Sequence, residues 1–212
     1  MTNTLNAARK NFNSALYWEQ RYRHNGNSGA GSYNRLAEFK ANVINDFILE
    51  CGIQSVIEFG SGDGNQLSLL KMNSYIGVDV SQTIITRLQS KFVNDKSKSF
   101  MLTSGYNGEK AELALSLDVI YHLVEDNVFH IYMETLFNSA TKNVIIYASN
   151  HDEVEGGSAL HVRHRKFTRW VASHKKNWKC TGFLKNAFPY EEGISDPLDT
   201  SVSDFFFFEP AA

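Results

Sequence analysis

The sequence predicts an α/β fold in which a mostly parallel sheet carries helices on both faces. Short apolar runs typical of buried strands alternate with stretches whose apolar residues recur at helical spacing. A glycine-rich turn, E-F-G-S-G-D-G, follows the first apolar run directly. The last two strands are joined without a helix, so we expect them to pair antiparallel at one edge of the sheet.

The composition is that of one ordinary globular domain. The chain has 212 residues, of which 42% are hydrophobic and 21% charged, which suits a single core. We divide the domain into an N-terminal arm (1–34), a core (35–149) and a C-terminal part (150–212). The formal net charge of −2 provides no global attraction to nucleic acid or to an anionic membrane.

Neither a signal peptide nor an apolar stretch of membrane-spanning length is evident, so we expect a cytoplasmic protein. Cys51 and Cys180 lack the spacing of metal ligands, and we expect both to be buried thiols in a reducing compartment, with a single disulfide as the less favoured alternative. The sequence predicts no particular oligomeric state.

The arm and the first half of the core have distinct patterns. The arm ends in N-G-N-S-G-A-G-S-Y (25–33), a run of small residues that predicts a mobile loop. Apolar residues at helical spacing predict a helix over 35–49, ended by Gly52, where a left-handed cap costs least. The run S-V-I-E-F (55–59) is typical of a buried strand, and the leucines at 67–70 indicate a helix after the glycine turn.

Further strands and helices alternate through the rest of the core. We predict strands at 75–80, 99–103, 113–119 and 143–149, the last apolar throughout and therefore covered on both faces. Ser81 can cap the helix after the second strand. A helix over 127–137 should face inward with Val128, Ile131, Tyr132 and Leu136. The tail continues with a helix over 166–174 and strands at 180–184 and 204–209.

The glycine turn could hold several kinds of ligand. A phosphate-binding P-loop needs a lysine that is missing here. The dinucleotide fingerprint G-x-G-x-x-G matches Gly60 and Gly62, but Asn65 replaces its third glycine. Glu58 precedes the first glycine by two positions, and its carboxylate would repel a pyrophosphate.

A second acidic residue lies at the expected end of the second strand. Asp79 follows Gly60 by 19 residues, close to the spacing of about 20 at which a carboxylate binds ribose hydroxyls in nucleotide folds. This spacing is compatible with NAD and with S-adenosylmethionine (SAM).

Together these motifs resemble those of the class I SAM-dependent methyltransferases. E-F-G-S-G-D-G resembles their first motif, [DE]-x-G-x-G-x-G, and A-E-L-A-L-S-L-D-V-I-Y-H-L (111–123) resembles their fourth. The resemblance implies a Rossmann-like, seven-stranded, mostly parallel sheet with helices on both faces, an antiparallel C-terminal strand pair, and SAM as cofactor. The family often has an acidic residue for the adenine after the third strand, whereas this chain reads M-L-T-S-G-Y. The implied cofactor residues are Glu58, Gly60, Ser61, Gly62, Gly64, Asn65, Gln66, Asp79, Val80, Ser104 (or its neighbour Thr103), Leu117, Asp118 and Val119.

Methyl transfer to a hydroxyl group benefits from a base beside the methyl donor. His122 is the first candidate because it follows the fourth strand, and His151, His164 and Asp118 are the others. For each histidine, a packing or capping role is the structural alternative. Asp118, Asn150 and Asp152 could imitate a metal site known in some methyltransferases, but their spacing is loose and we expect no metal.

The segment 161–179 contains seven Lys or Arg residues and no acid. Guanidinium groups suit a phosphate or carboxylate, so we expect an anionic acceptor here. The N-terminal arm resembles the head of small bacterial methyltransferases that modify sugars in surface-glycan or natural-product pathways. The expected acceptor-binding residues are Tyr22, Tyr33, Arg35, Tyr121, His161, Arg163 and Arg165.

The sequence therefore favours an O-methyltransferase that acts on a small polar acceptor such as a sugar or phosphosugar. One alternative is an RNA or protein methyltransferase that uses segment 161–179. The negative net charge and the lack of a [DNS]-P-P-[YF] motif speak against nucleic acid. A non-catalytic SAM-binding regulatory protein is the alternative of another class.

Overall fold

A seven-stranded sheet forms the centre of the molecule. The computed structural model describes residues 9, 11–153, 159–193, 195, 196 and 198–211. The strand order is β3-β2-β1-β4-β5-β7-β6; β1 to β5 are parallel, and β7 pairs antiparallel with β5 and β6. The predicted fold class is confirmed. The strands are β1 (Ser55–Phe59), β2 (Ser74–Asp79), β3 (Lys98–Leu102), β4 (Ala111–Leu117), β5 (Ala140–Ala148), β6 (Trp178–Leu184) and β7 (Asp204–Pro210).

Helices cover both faces of this sheet. One apolar cluster packs α4 (Asp126–Ser139) and α5 (Phe167–His174) against the strands through residues such as Met133 and Phe167. A second cluster packs α2 (Asn34–Glu50) and α3 (Gln82–Lys91) on the other face through residues such as Ile44 and Leu88. None of the helices in the described ranges is long and apolar enough to cross a membrane. The helices are α1 (Ser14–Arg23), α2 (Asn34–Glu50), α3 (Gln82–Lys91), α4 (Asp126–Ser139) and α5 (Phe167–His174).

The strand order reverses direction between β1 and β4. The carboxyl ends of β1, β2 and β4 meet at one edge of the sheet, at Phe59, Asp79 and Leu117. Such a switch point leaves a crevice outside the strand ends, which is where ligands bind in open α/β sheets.

The part of the arm that the structure describes contains more regular structure than the sequence analysis predicted. Helix α1 was missed, although Asn13 caps it by accepting a hydrogen bond from the Leu16 N–H at 2.8 Å. The segment predicted to be a mobile loop contains a single 3₁₀ turn at Ala30–Ser32. It is also tied to the glycine turn, because Ser28 N–H donates to Asp63 Oδ2 and Asp63 N–H donates to Ser28 Oγ, both at 2.8 Å.

The helix predicted after the glycine turn is only a 3₁₀ turn, Leu67–Leu69. The side chain of Asn45 on α2 accounts for this difference. It donates to the Leu69 carbonyl and accepts from the Lys71 N–H, so it replaces the hydrogen bonds that would continue a helix.

Three predictions of burial were wrong. Cys51 lies at the exposed end of α2 and Cys180 on the exposed edge strand β6, and both thiols are free and exposed. Ile131 is 62% exposed rather than inward, because it lies on the part of α4 that borders a cavity instead of the core.

Candidate functional site

A cavity of about 310 Å³ lies at the carboxyl ends of β1, β2 and β4. Its floor is the glycine turn, and α1 contributes Asn13, Ser14, Ala15, Trp18 and Tyr22 to its wall. Most of the cofactor residues expected from the sequence line it: Glu58, Gly60, Ser61, Gly62, Gln66, Asp79, Val80, Leu117, Asp118 and Val119.

Two positions of the glycine turn require glycine, because the backbone is left-handed there and neighbouring side chains leave no room for a Cβ atom. Gly60 and Gly62 have φ values of +84° and +57°. A Cβ on Gly60 would lie 2.4 Å from Val119 Cγ2, and one on Gly62 would lie 2.4 Å from Ser28 Oγ. Ser61 Oγ and Gln66 Oε1 are buried in this turn without a hydrogen-bond partner among the described residues. Such orphaned polar atoms are explained by a polar ligand in the cavity.

Glu58 is a buried carboxyl group at the end of β1. Burial raises its pKa to about 7, against the opposing effects of a hydrogen bond from Tyr75 Oη and of the nearby Lys40 ammonium. A cationic ligand group beside Glu58 would favour the ionised form. The site is therefore suited to the amino group of an amino acid.

Asp79 occupies the corresponding place at the end of β2. Its Oδ2 accepts the Gly62 N–H and its Oδ1 the Ser81 N–H, each at 3.0 Å. Burial raises its pKa to about 6 despite these bonds. A carboxylate has about four acceptor positions, so Asp79 keeps acceptor capacity for the hydroxyl groups of a ribose.

The remaining predicted cofactor residues lie outside the cavity lining. Gly64 packs against Leu88, and Asn65 Nδ2 donates to the Ser32 carbonyl at 2.6 Å. Ser104 is exposed, and its neighbour Thr103 lines the cavity instead. Thr103 is therefore the residue available for the adenine end of a nucleoside.

The Asp118 carboxylate forms several buried interactions and is not free to act as a base. Its backbone is left-handed, with φ +59°, and its Oδ2 forms an ion pair with Lys40 Nζ at 2.7 Å. Its Oδ1 accepts from Tyr121 Oη at 3.0 Å and from Ser203 Oγ at 2.9 Å. Because both carboxylate oxygens are engaged, Asp118 positions its neighbours, and Tyr121 acts as one of its donors.

Lys40 is a site residue that the sequence analysis missed. It is fully buried and lines the cavity from α2. It lies in a stripe of residues four apart, Leu36–Lys40–Ile44–Ile48, of which the other three are apolar and buried. A lysine within such a stripe is the signal that could have revealed it.

Within the described lining, His122 is the histidine that faces the cavity. Its Nδ1 lies 3.0 Å from the His161 carbonyl; a carbonyl can only accept, so Nδ1 carries the proton and Nε2 keeps a free lone pair. Burial lowers its pKa to about 4, so the ring is neutral at neutral pH. Trp18 and His161 hold the ring at centroid distances of 4.9 and 5.5 Å.

The other candidate bases lie elsewhere. His151 is exposed, and its ring is 4.6 Å from that of His164. His164 Nδ1 lies 2.7 Å from Ser149 Oγ. Asn150 accepts from Thr168, and Asp152 pairs with Arg169. The structure therefore does not bring Asn150 and Asp152 together with Asp118.

Arg163 and Arg165 of segment 161–179 lie outside the cavity lining. Arg165 donates to the carbonyls of Leu123 and Val124 and pairs with Asp126, and Arg163 also binds Val124 O and Asp126. They border a separate open groove of about 990 Å³. Both guanidinium groups thus hold the turn that follows His122, and neither lines the cavity.

Tyr22 and Tyr33 connect the N-terminal arm to the cavity and the glycine turn, whereas Arg35 makes no such connection. Tyr22 lines the cavity, and its Oη lies 3.1 Å from Ser28 Oγ. Tyr33 Oη donates to Asp63 Oδ2 at 2.7 Å. Arg35 lies over the Phe188 ring and donates to the Asp199 carbonyl, away from the cavity.

Two glutamates fasten α1 over the cavity. At one end, Glu125 accepts hydrogen bonds from the Ser14 N–H and hydroxyl. Near the middle, Glu19 accepts from Ser81 Oγ and Thr83 Oγ1, both at 2.6 Å, at the start of α3. Both contacts join residues that are distant in the chain, so the sequence analysis could not predict them.

Several solved structures match the fold of this chain. No family model and no curated protein sequence matches the chain. The methyltransferase domain of bacterial CtHen1 matches with a TM-score of 0.60 at 21% identity, over 80% of this chain and 97% of that one. The SAM complex of magnesium protoporphyrin IX methyltransferase from Synechocystis PCC 6803 matches with a TM-score of 0.64 at 11% identity, over 94% and 98%.

The N-methyltransferase NodS from Bradyrhizobium japonicum WM9, crystallised with S-adenosylhomocysteine (SAH), matches with a TM-score of 0.62 at 11% identity, over 84% of this chain and 88% of that one. One of these names states an acceptor, magnesium protoporphyrin IX, another states N-methylation, and all three name a methyltransferase. The chain has the fold of the class I SAM-dependent methyltransferases.

Proposed function

We propose that this protein is a SAM-dependent methyltransferase that methylates a hydroxyl group of a small polar acceptor, such as a sugar or phosphosugar. The observation that carries the proposal is the convergence of Glu58, the glycine turn and Asp79 on one cavity that His122 also lines. The solved structures with this fold, several of them with SAM or SAH bound, support the same cofactor.

The residues present fit SAM along its length. Glu58 and the orphaned Gln66 Oε1 suit its ammonium group. Asp79 suits the ribose hydroxyls, and Val80 and Thr103 lie where the nucleoside continues. When bound, SAM supplies an electrophilic methyl group on a sulfonium sulfur.

In this site His122 would act as the base. The acceptor hydroxyl would lose its proton to Nε2 of the neutral imidazole as its oxygen takes the methyl group from the sulfonium sulfur, which would leave as the thioether of SAH. Trp18 and the His161 carbonyl orient the ring, while α1 shields the site from water.

The acceptor class can be identified with SAM that carries a radiolabelled methyl group. The purified protein is incubated with labelled SAM and a cell extract, which is then separated into glycan, small-molecule, RNA and protein fractions. The proposal predicts label in the glycan or small-molecule fraction, lost with His122→Asn. Label in RNA or protein would support the alternative acceptors, and SAM binding without any transfer would support a regulatory protein.

A further inference from the structure

The buried ammonium group of Lys40 has more hydrogen-bonding capacity than the protein uses. Its side chain is 1% exposed, and burying a charge at such a position is costly unless it is paired and hydrogen-bonded. Among the described residues its hydrogen-bond partner is Asp118, at 2.7 Å, and the Tyr147 ring lies 5.2 Å away. An ammonium group has three N–H donors, so two lack an acceptor in the described part of the chain.

Asp118 alone does not explain this lysine. The carboxylate already receives hydrogen bonds from the hydroxyl groups of Tyr121 and Ser203. These neutral donors would satisfy one of its oxygens without any buried cation. The spare donors of Lys40 therefore call for a second acceptor, and Lys40 lines the cavity.

The charges around the cavity indicate what that acceptor is. Five carboxylate residues line it, and Lys40 is the one cationic side chain among the described lining residues. The carboxylates are Glu58, Asp63, Asp79, Asp118 and Glu125. An anionic ligand group would be repelled across most of this lining and attracted at Lys40.

Lys40 also lies beside the groups that suit the amino-acid end of SAM. Gln66 Nε2 donates to the Ala37 carbonyl, one turn before Lys40 on α2, at 3.1 Å. The other side-chain atom of Gln66, Oε1, is buried and unpartnered within the described residues. The Lys40 charge also acts on Glu58. An acceptor for an ammonium group and a donor for a carboxylate therefore line the same cavity, as a bound amino acid requires.

We propose that Lys40 binds the α-carboxylate of SAM and makes the site selective for cofactors that carry this carboxylate. The inference rests on the proposed function, because it assigns a role within the same SAM site. Lys40 would then bridge the cofactor and Asp118, which in turn holds the end of β4 through Tyr121 and Ser203.

The test compares SAM with decarboxylated SAM, which keeps the sulfonium, amino and nucleoside groups and lacks only the carboxylate. Calorimetry should show that the wild-type protein binds SAM at least about 10-fold more tightly, as expected for a charged hydrogen bond. Lys40→Met should weaken SAM binding by about 10- to 100-fold and change the affinity for decarboxylated SAM by less than about threefold. Lys175→Met is the matched control, since Lys175 is also buried and forms its ion pair, with Glu134, outside the cavity.

Lys40→Met leaves Asp118 without its buried cation and could impair folding. The double variant Lys40→Met/Asp118→Asn removes both charges and keeps a neutral polar group in place; its fold is checked by circular dichroism. This double variant should likewise lose the higher affinity for SAM over decarboxylated SAM. Equal wild-type binding of the two cofactors, or a preference retained without Lys40, would overturn the role of Lys40. Failure of the wild-type protein to bind either cofactor would instead overturn the proposed function.

Discussion

At the scale of single residues, the chemistry depends on the one nitrogen of His122 that is left free. The Nδ1–H contact with the His161 carbonyl fixes the tautomer. His122→Asn can keep this contact through its amide N–H while removing the Nε2 lone pair. We predict a loss of about 10²- to 10⁴-fold in the rate of methyl transfer, with SAM affinity nearly unchanged.

The control for this prediction is His24→Asn. His24 is an exposed histidine whose Nδ1 also lies against a backbone carbonyl, that of Gln20, at 2.8 Å. Its substitution should leave both the rate and the affinity unchanged. A His122→Asn protein with wild-type turnover would exclude His122 as the base.

The raised pKa of Glu58 makes cofactor binding depend on pH. With a pKa of about 7 in the free protein, Glu58 is increasingly protonated below pH 7 and then no longer attracts an ammonium group. SAM affinity should therefore fall as the pH decreases from 7 to 6, by up to about tenfold per pH unit. Asp79, with a pKa of about 6, adds to the loss at lower pH.

Calorimetry at a series of pH values measures this effect. Glu58→Gln should bind SAM more weakly than the wild type at pH 7.5 and lose the dependence between pH 7 and 6. If wild-type affinity is constant across this range, Glu58 does not contact the ammonium group.

At the scale of elements, the glycine turn depends on positive φ values and on close contact with the arm. Gly62→Ala places a Cβ 2.4 Å from Ser28 Oγ at φ +57°. We predict a loss of about 1–3 kcal/mol in the free energy of unfolding and at least about a 10-fold loss of SAM affinity. Gly105→Ala is the control, because a Cβ there meets no atom within 4 Å and the backbone is not left-handed. Equal effects of the two substitutions would contradict this account.

Helix α1 should act as a lid whose closure depends on Glu19. Glu19→Ala removes the acceptor for the Ser81 and Thr83 hydroxyls. We predict faster hydrogen–deuterium exchange over Ser14–Arg23 and SAM binding weaker by roughly three- to tenfold. Glu38→Ala, at an exposed position on α2, should change neither. Unchanged exchange in α1 after Glu19→Ala would show that other contacts hold the lid.

At the scale of the whole molecule, the sequence predicted what depends on local patterns. The strand Ser55–Phe59, the cap at Ser81 and the placement of Asp79 follow from alternation, capping and spacing within short segments. The contacts that the sequence analysis missed join residues that are distant in the chain. Lys40 pairs with a residue 78 positions away, and Arg165 binds a carbonyl 42 positions away. Neither composition nor periodicity encodes the partners in such contacts, so the basic composition of segment 161–179 did not indicate that Arg163 and Arg165 bind the carbonyl group of Val124.

The central claim is that the cavity under α1 is a SAM site, and equilibrium binding tests it most directly. Titration calorimetry of the wild-type protein with SAM, SAH and NAD needs no knowledge of the acceptor. We predict one binding site for SAM and for SAH, with an affinity that Asp79→Ala lowers severely, and no binding of NAD. Binding of NAD without binding of SAM or SAH would contradict it.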